Sequence, residues 1–165
     1  MSEFTEAMAG VATAVTVVTV NDERDDVGGT VGTFTSVSLD PELVMVSLAN
    51  TGYLNELLLR RDRWAASVLS AGQKAIASRF ATPGRPGARL LLAGTPHHRG
   101  ALSGALVVEG GVAALEAETT QVVPAGDHTL YIARVLGVSY VEPSLAPLVR
   151  LRGRYRPAGG DPDAR

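Results

Sequence analysis

Cysteine is absent from this sequence, and lysine occurs once, at Lys74. Without cysteine the chain forms no disulfide, no thiolate metal site and no redox dithiol. Any electrons that it moves must therefore be carried by a bound cofactor or a co-substrate. Aromatic residues are also few, with three Phe, one Trp and four Tyr, so we expect a core built mainly from Val, Leu and Ala.

The sequence also has no large excess of positive or negative residues. The formal net charge is −2 at pH 7, which leaves no overall basic field for nucleic acid or an anionic membrane surface. No apolar run is long enough to cross a bilayer, and no signal-peptide pattern opens the sequence. We therefore expect a cytoplasmic protein that binds neither nucleic acid nor membrane.

Length and composition indicate a single folded domain. The chain has 165 residues, of which 45% are hydrophobic and 19% charged, enough to bury a core. We expect this domain over residues 1–157. The polar, Gly- and Pro-containing residues 158–165 are typical of a disordered tail.

The segment from Gly28 to Pro41 organises the rest of the prediction. It carries no charge before Asp40 and is dense in hydroxyl side chains: Thr30, Thr33, Thr35, Ser36 and Ser38. Its alternation of small polar and apolar residues predicts a half-buried strand. Such a strand offers hydrogen-bond donors and acceptors without a group that titrates near neutrality. Two interpretations stay open, a surface for a flat polar ligand and an ordinary Thr-rich strand of a barrel.

The remaining hydrophobic patterns predict a mainly β protein with short helices. Strands are expected over 11–20, 43–49, 64–69, 105–118 and 128–141, and helices over 2–10, 53–61 and about 71–80. Long neighbouring strands with short peripheral helices favour a closed, mostly antiparallel barrel. The acidic residues within 21–26 follow one another on a turn without a nearby histidine, so we expect a solvated loop and no metal site.

Two further patterns stand out toward the C-terminal half. Residues 81–104 are irregular, and we interpret the adjacent His97 and His98 as surface residues of a mobile loop that covers a ligand or reaches a partner subunit. Arginines recur at period two, and a strand over 149–156 would place all four on one face: Arg150, Arg152, Arg154 and Arg156. Water, acids of a neighbouring strand or the pyrophosphate of a dinucleotide would then offset their repulsion.

Several of these segments resemble one known family. Residues 30–44 are similar to the signature of the short-chain flavin reductases, the NAD(P)H-dependent components of two-component flavin monooxygenases. The blocks 64–81, 125–135 and 147–155 match further motifs of that family in the same order, including the Gly-Asp-His strand at 126–128. The resemblance extends from about residue 6 to residue 157.

The resemblance implies a fold, an activity and partners. The fold is the FMN-binding split β-barrel, Greek-key-like and homodimeric, in which the second subunit completes the site. The implied reaction is reduction of FMN or FAD by NADH or NADPH, with reduced flavin passing to a monooxygenase. Such hydride transfer requires no acid, base or nucleophile from the protein, because the cofactors supply the electronics.

The resemblance also implies site residues. The expected flavin contacts are Thr33, Phe34, Thr35, Ser36, Ser38, Ala49, Asn50, Thr51, Arg79 and Phe80. His128 is the expected catalytic residue near the nicotinamide, and Tyr155 is a second contact on that side. Simpler structural roles stay open for four of them, and Phe80 would then be a core side chain. Thr51 would then be a helix cap, Arg79 a solvent-facing side chain, and His128 a partner of Asp127.

Two classes of function remain open at this point. The first is an NAD(P)H:flavin oxidoreductase. The second is a flavin-binding or electron-relay protein of the same shape, without its own nicotinamide site. The Gly-Asp-His motif and the arginine pattern favour the enzyme, since a pure flavin carrier has no need of them. The patterns do not distinguish FMN from FAD or NADH from NADPH.

Overall fold

The structure, a computed structural model, describes residues 1–159. Its helices are α1 (Glu3–Ala9), α2 (Tyr53–Leu58), a 3-10 turn (Ala71–Gln73), α3 (Lys74–Ala81) and α4 (Ala88–Leu91). The strands are β1 (Thr13–Ala14), β2 (Thr16–Asn21), β3 (Asp26–Val31), β4 (Thr35–Leu39), β5 (Glu42–Ala49), β6 (Arg63–Val68), β7 (His97–Arg99), β8 (Leu106–Val108), β9 (Ala113–Ala125), β10 (His128–Val141), β11 (Leu148–Leu151) and β12 (Arg154–Pro157).

A seven-stranded antiparallel sheet dominates the fold, in the order β3-β2-β6-β9-β10-β5-β4. Smaller sheets are formed by β1-β11-β12 and by β7-β8. The predicted mainly β architecture with short helices is therefore confirmed. Within residues 1–159, the strand order ends at β3 and β4 and is not closed into a barrel by hydrogen bonds.

The connection between β3 and β4 shows that the large sheet is strongly curved. These strands lie at opposite edges of the sheet, yet only residues 32–34 join them. The four Cα steps from Val31 to Thr35 span at most about 14 Å. Six strand spacings of a flat sheet would separate the same edges by about 29 Å. The sheet must therefore curl until its two edges approach one another.

The core consists of two main clusters on either side of β2 and β3. One contains Trp64 and Tyr131 together with aliphatic residues of β5 and α2, and the other contains Phe80 with Leu69 and Leu92. Trp64 donates its indole N–H to Thr119 Oγ1 at 3.0 Å, so this buried ring is also satisfied as a hydrogen-bond donor. Aliphatic side chains otherwise fill both clusters, as the scarcity of aromatic residues predicts.

A buried carboxylate anchors the segment after α3 to the sheet. Asp26, only 1% exposed, accepts two hydrogen bonds from the Arg99 guanidinium, at 2.8 and 2.9 Å. Asn21 and Arg89 also contact it. Burial alone would raise the pKa of the Asp26 carboxyl, but these hydrogen bonds and positive charges bring the pKa below its ordinary value.

The structure corrects the prediction of one strand over residues 28–41. The segment forms the end of β3 and all of β4, which pair with β2 and β5 respectively. The break falls at Gly32–Phe34, where the chain crosses between the sheet edges and neither neighbouring strand supplies a ladder partner. The hydroxyl-bearing half, β4, is thus an edge strand.

The arginine pattern is also corrected. Arg152 and Gly153 have positive φ values of 50° and 72°, and they form the turn of a hairpin between β11 and β12. Because the chain reverses there, Arg150 pairs with Tyr155, whereas Arg154 and Arg156 pair with residues of the opposite face. The four arginines therefore do not share one face.

Two predictions for the remaining segments differ in outcome. His97 and His98 belong to β7, paired with β8, and so are not part of an irregular loop. The disordered tail was predicted over residues 158–165, and residues 160–165 of it lie outside the described part of the chain. No helix in residues 1–159 combines the length and apolar character that a membrane span requires.

Candidate active site

Three strand ends form a polar corner at one end of the large sheet. Thr33, just before β4, donates its hydroxyl to the Ser47 carbonyl at 2.8 Å and accepts the Ser47 N–H at 2.9 Å. Ala49, the last residue of β5, is the register partner of His128, the first residue of β10. The start of β4, the end of β5 and the start of β10 therefore lie side by side.

Asn50 holds this corner together. Its backbone N–H donates to the Asp127 carbonyl at 2.9 Å, and its side-chain amide donates to the Gly126 carbonyl at 3.2 Å. The amide oxygen accepts the Thr129 hydroxyl at 2.7 Å. Both ends of the Asn50 amide are thus occupied within the protein. Its role in the structure is to fix the Gly126–Asp127 turn and the following histidine.

His128 is a titratable group at this corner that can reach a ligand. It is half-buried, and its Nδ1 lies 2.7 Å from Asp127 Oδ1. This hydrogen bond, together with the charge of the imidazole, lowers the pKa of the Asp127 carboxyl. The pairing orients the ring and leaves Nε2 directed away from the carboxylate.

The hydroxyl groups of β4 remain accessible. Thr35 and Ser36 are exposed, Ser38 is partly exposed, and a bulge between Ser36 and Ser38 leaves Val37 without a register partner on β5. Phe34 instead packs against the first core cluster and fixes the start of the strand. The accessible hydroxyls and backbone of this edge can hydrogen-bond a flat polar ligand.

A cavity of about 430 Å³ lies next to the corner. Its walls are the start of β3, the residues leading into α2 and the loop after α3. The lining residues are Asp25, Val27, Gly28, Thr51, Gly52, Tyr53, Leu54, Pro83, Gly84, Arg85, Pro86 and Gly87. Thr51 lies two residues beyond Ala49 in the sequence. The segment that ends at the corner therefore continues directly into the cavity wall. This volume is within the range of small-molecule sites.

Arg85 places a half-buried cation in the cavity wall. Its Nε donates to the Gly28 carbonyl at 2.8 Å, and no carboxylate in residues 1–159 forms an ion pair with it. Burial lowers the pKa of this guanidinium. A side chain at residue 29 would place its Cβ 2.8 Å from Arg85 Nη2, so glycine there leaves room for the guanidinium. A buried cation without an acidic partner suits an anionic ligand such as a phosphate.

The structure does not bring every predicted residue to this place. Phe80 is 1% exposed, and its ring would meet a Cβ at residue 28 at 2.7 Å, so it packs inside the second core cluster. Arg79 is exposed and points to the Leu91 carbonyl and Thr95, at 3.4 and 3.5 Å. Neither residue lines the cavity.

Tyr155 lies apart from the cavity as well. It packs against the second core cluster, with the Arg150 guanidinium 5.7 Å from the centre of its ring. It borders a separate surface concavity that also contains Lys74 and Arg154. Tyr155 is therefore not among the residues that line the cavity.

Sequence reasoning missed Arg85, Tyr53 and Asp25 as cavity residues. The loop from Pro83 to Gly87 did carry a usable signal, because a Pro- and Gly-rich loop with one arginine is typical of a ligand-covering segment. Nothing local indicated that Arg85 would reach the Gly28 carbonyl, 57 residues away in sequence.

Comparison with known proteins identifies the family of this chain. The flavin reductase like domain matches residues 8–159. The chain is 38% identical over 157 residues to the NADH-dependent FMN reductase AsuE2 of Streptomyces nodosus subsp. asukaensis. This alignment covers 93% of this chain and 83% of that protein.

Solved structures show the same fold. The NADH:FAD oxidoreductase SgcE6 of Streptomyces globisporus C-1027 superposes with a TM-score of 0.88 at 31% identity, covering 98% of this chain and 93% of that one. The styrene monooxygenase flavin reductase of Pseudomonas putida S12 gives a TM-score of 0.82 at 33% identity, covering 97% and 99%. The predicted resemblance is confirmed, and the chain belongs to the flavin reductase family.

Proposed function

We propose that this protein is an NAD(P)H:flavin oxidoreductase that reduces FMN or FAD and supplies the reduced flavin to a monooxygenase. The observation that carries the proposal is the unpaired Arg85 cation in a cavity beside a hydroxyl-lined corner with a single imidazole. Relatives named as NADH-dependent FMN and FAD reductases, one of them the reductase of a styrene monooxygenase, support it.

The protein's part in this reaction is binding and alignment. A flavin accepts the hydride, and a nicotinamide supplies it, so the chain needs no redox group of its own. Thr35, Ser36 and Ser38 would hydrogen-bond the polar edge of the isoalloxazine, and Ala49 would form the floor beside it. The curved sheet and the core behind Phe34 keep water from the buried side of the site.

Two charged or titratable groups have separate tasks in this proposal. Arg85, with Thr51 next to it on the cavity wall, would hold the flavin phosphate. His128 would face the place where nicotinamide and flavin meet, and its Nε2 would donate or accept a proton there. Asn50 and Asp127 would keep the imidazole in position.

We also propose that the chain forms a homodimeric, Greek-key-like split barrel of the kind its family implies. Two exposed apolar surfaces support a second subunit. The edge strand β4 exposes Leu39 and Val37, and α1 exposes Phe4 and Met8. A second subunit covering these surfaces would also allow Tyr155 to approach the nicotinamide side of the neighbouring site.

The activity has a direct test. Purified protein is mixed with FMN or FAD and with NADH or NADPH, and the nicotinamide absorbance is followed. We expect oxidation of at least one of the two nucleotides in the presence of at least one of the two flavins. Under anaerobic conditions, one molecule of flavin should be reduced, and lose its colour, for each molecule of nucleotide oxidised. Binding of flavin without oxidation of either nucleotide would instead favour the flavin-binding or electron-relay alternative.

A further inference from the structure

We infer that Tyr131 is a positioning residue for flavin binding, because its hydroxyl fixes one wall of the cavity to β10. The inference rests on the proposed function, since it takes the cavity and the polar corner as the flavin site. The wall is the segment 51–54, which leads into α2 and forms its start, and all four of its residues line the cavity. Helix α2 has only six residues, and no side chain caps its first turn at Gly52. A helix this short is not stable by itself, so contacts with the sheet must set its position.

One buried pair supplies the polar contact between α2 and the sheet. The Tyr131 hydroxyl donates to Asn55 Oδ1 at 2.6 Å and lies 3.2 Å from the Asn55 carbonyl oxygen. The two residues are 0% and 4% exposed, respectively. Burial raises the pKa of the Tyr131 hydroxyl, which therefore stays protonated as a donor. Within the described residues, the other side chains of α2 form no hydrogen bond with a strand. Because a hydrogen bond is directional, this pair fixes the helix more exactly than its apolar contacts do.

A second anchor lies at the other end of the same wall. Asn50, the residue before Thr51, accepts the Thr129 hydroxyl at 2.7 Å. Thr129 and Tyr131 are two positions apart on β10 and both are buried, so the two anchors leave the strand on its inner face. His128 has the opposite parity and lies on the other face of β10. One strand therefore positions the imidazole on one side and the cavity wall on the other.

The pair should affect binding of the flavin phosphate more than hydride transfer. Thr51 lies on the anchored wall and Arg85 on the loop after α3, and the proposed function gives these two residues the phosphate. Without the Tyr131 hydroxyl, the start of α2 can shift relative to Arg85. The polar corner keeps its own hydrogen bonds, through Thr33 and Asn50. The loss should therefore appear in the Kd of a phosphorylated flavin and not in kcat.

Tyr131→Phe tests this inference by removing the hydroxyl and keeping the ring. We expect the Kd of FMN to rise about three- to tenfold. The Kd of riboflavin, which lacks the phosphate, should change by less than about twofold, and so should kcat at saturating FMN. Fluorescence titration measures the two Kd values, and nucleotide oxidation measures kcat.

Asn55→Ala removes the acceptor from the helix side and should weaken FMN in preference to riboflavin as well. The double variant with Tyr131→Phe should bind FMN no more weakly than the weaker single variant, because both substitutions break one hydrogen bond. If Tyr131→Phe does not fold, Asn55→Ala carries the same comparison of FMN with riboflavin.

Tyr140→Phe is the matched control. The Tyr140 hydroxyl donates to the Val108 carbonyl at 2.6 Å, and neither residue lines the cavity. Removing either tyrosine hydroxyl leaves a protein group without its partner, so both variants should unfold at a lower urea concentration than the wild type. Only Tyr131→Phe should weaken the binding of FMN.

The inference is overturned if Tyr131→Phe binds FMN as the wild type does or weakens riboflavin as much as FMN. It is also overturned if Tyr140→Phe weakens FMN equally, since general loss of stability would then explain the effect. Additive losses from Tyr131→Phe and Asn55→Ala would contradict it too. Failure of the proposed function gives a different result, in which the wild-type protein neither binds nor reduces FMN.

Discussion

His128 Nδ1 and Asp127 Oδ1 lie 2.7 Å apart on a turn that Asn50 fixes from the neighbouring strand. A half-buried imidazole thus has a defined orientation at the meeting point of three strands. If Nε2 exchanges a proton with the reacting cofactors, His128→Ala should lower kcat by about 100-fold, the contribution typical of general acid–base groups. Stopped-flow measurement of anaerobic flavin reduction checks this step, and an unchanged rate would remove His128 from the chemistry.

Asp127 should affect the same reaction through pH. Because the hydrogen bond to His128 lowers the pKa of Asp127, the Asp127 carboxylate is ionised at neutral pH and becomes protonated only as pH falls through that lowered value. Asp127→Asn should therefore shift or flatten the acid side of the kcat profile while flavin binding persists. Identical profiles for the variant and the wild type would contradict the pairing as a functional feature.

Arg85 should distinguish flavins with and without phosphate. Loss of a charge-assisted hydrogen bond in Arg85→Gln should raise the Kd of FMN by about tenfold or more and leave that of riboflavin unchanged. Fluorescence titration measures both values. Arg79→Gln provides the comparison, because Arg79 points away from the cavity. An effect on FMN confined to Arg79→Gln would identify Arg79 as the phosphate ligand.

Thr33 and Ser36, two hydroxyl-bearing residues close together in the sequence, should respond differently to substitution. Thr33→Val removes the partner of both the N–H and the carbonyl of Ser47, so the free energy of unfolding should fall by about 0.5–1.5 kcal/mol. Ser36→Ala, at an exposed residue, should change stability by less than about 0.5 kcal/mol. It should instead weaken flavin binding by about two- to tenfold. Urea unfolding and flavin titration of both variants would show whether stability and binding separate in this way.

Asp26 should control stability and its dependence on pH. Replacing this buried acceptor in Asp26→Ala leaves Arg99 without its bidentate partner, and we expect a loss of about 3 kcal/mol in urea unfolding. Because the folded-state pKa of Asp26 lies below its ordinary value, its stabilisation is present at neutral pH and disappears as pH falls through the folded pKa. The variant should accordingly lose less stability than the wild type on acidification. Equal stability at pH 7 would contradict this role.

The edge strand β4 provides a test of subunit association. Leu39 is 86% exposed in the single chain, and its burial against a second subunit would explain a large apolar side chain on this edge. We expect a dimer by light scattering, and Leu39→Asp should shift the mass toward the monomer and lower flavin reduction. A wild-type protein that is monomeric and fully active would contradict the proposed homodimer.

Local patterns predicted much of the fold because they depend on neighbours in the chain. The helix predicted over about 71–80 is present as the 3-10 turn and α3, and a capping box from Ser70 to Gln73 begins it. The strands β5, β6 and β10 begin and end close to their predicted bounds. Two of the errors lie where a turn was hidden inside a regular pattern, at Gly32 and at Arg152–Gly153. Alternation continues across such a turn, so periodicity alone does not reveal it.

The sequence by itself determined the family, the hydroxyl-rich character of β4 and the lack of a cysteine that could carry electrons. Residue types and short motifs are sufficient for these conclusions. Tertiary structure alone decided which residues meet. Arg85 reaches Gly28 across 57 positions, and Asn50 reaches Thr129 across 79. These encounters depend on how the curved sheet brings its edges together, and that long-range geometry is not encoded in any local spacing.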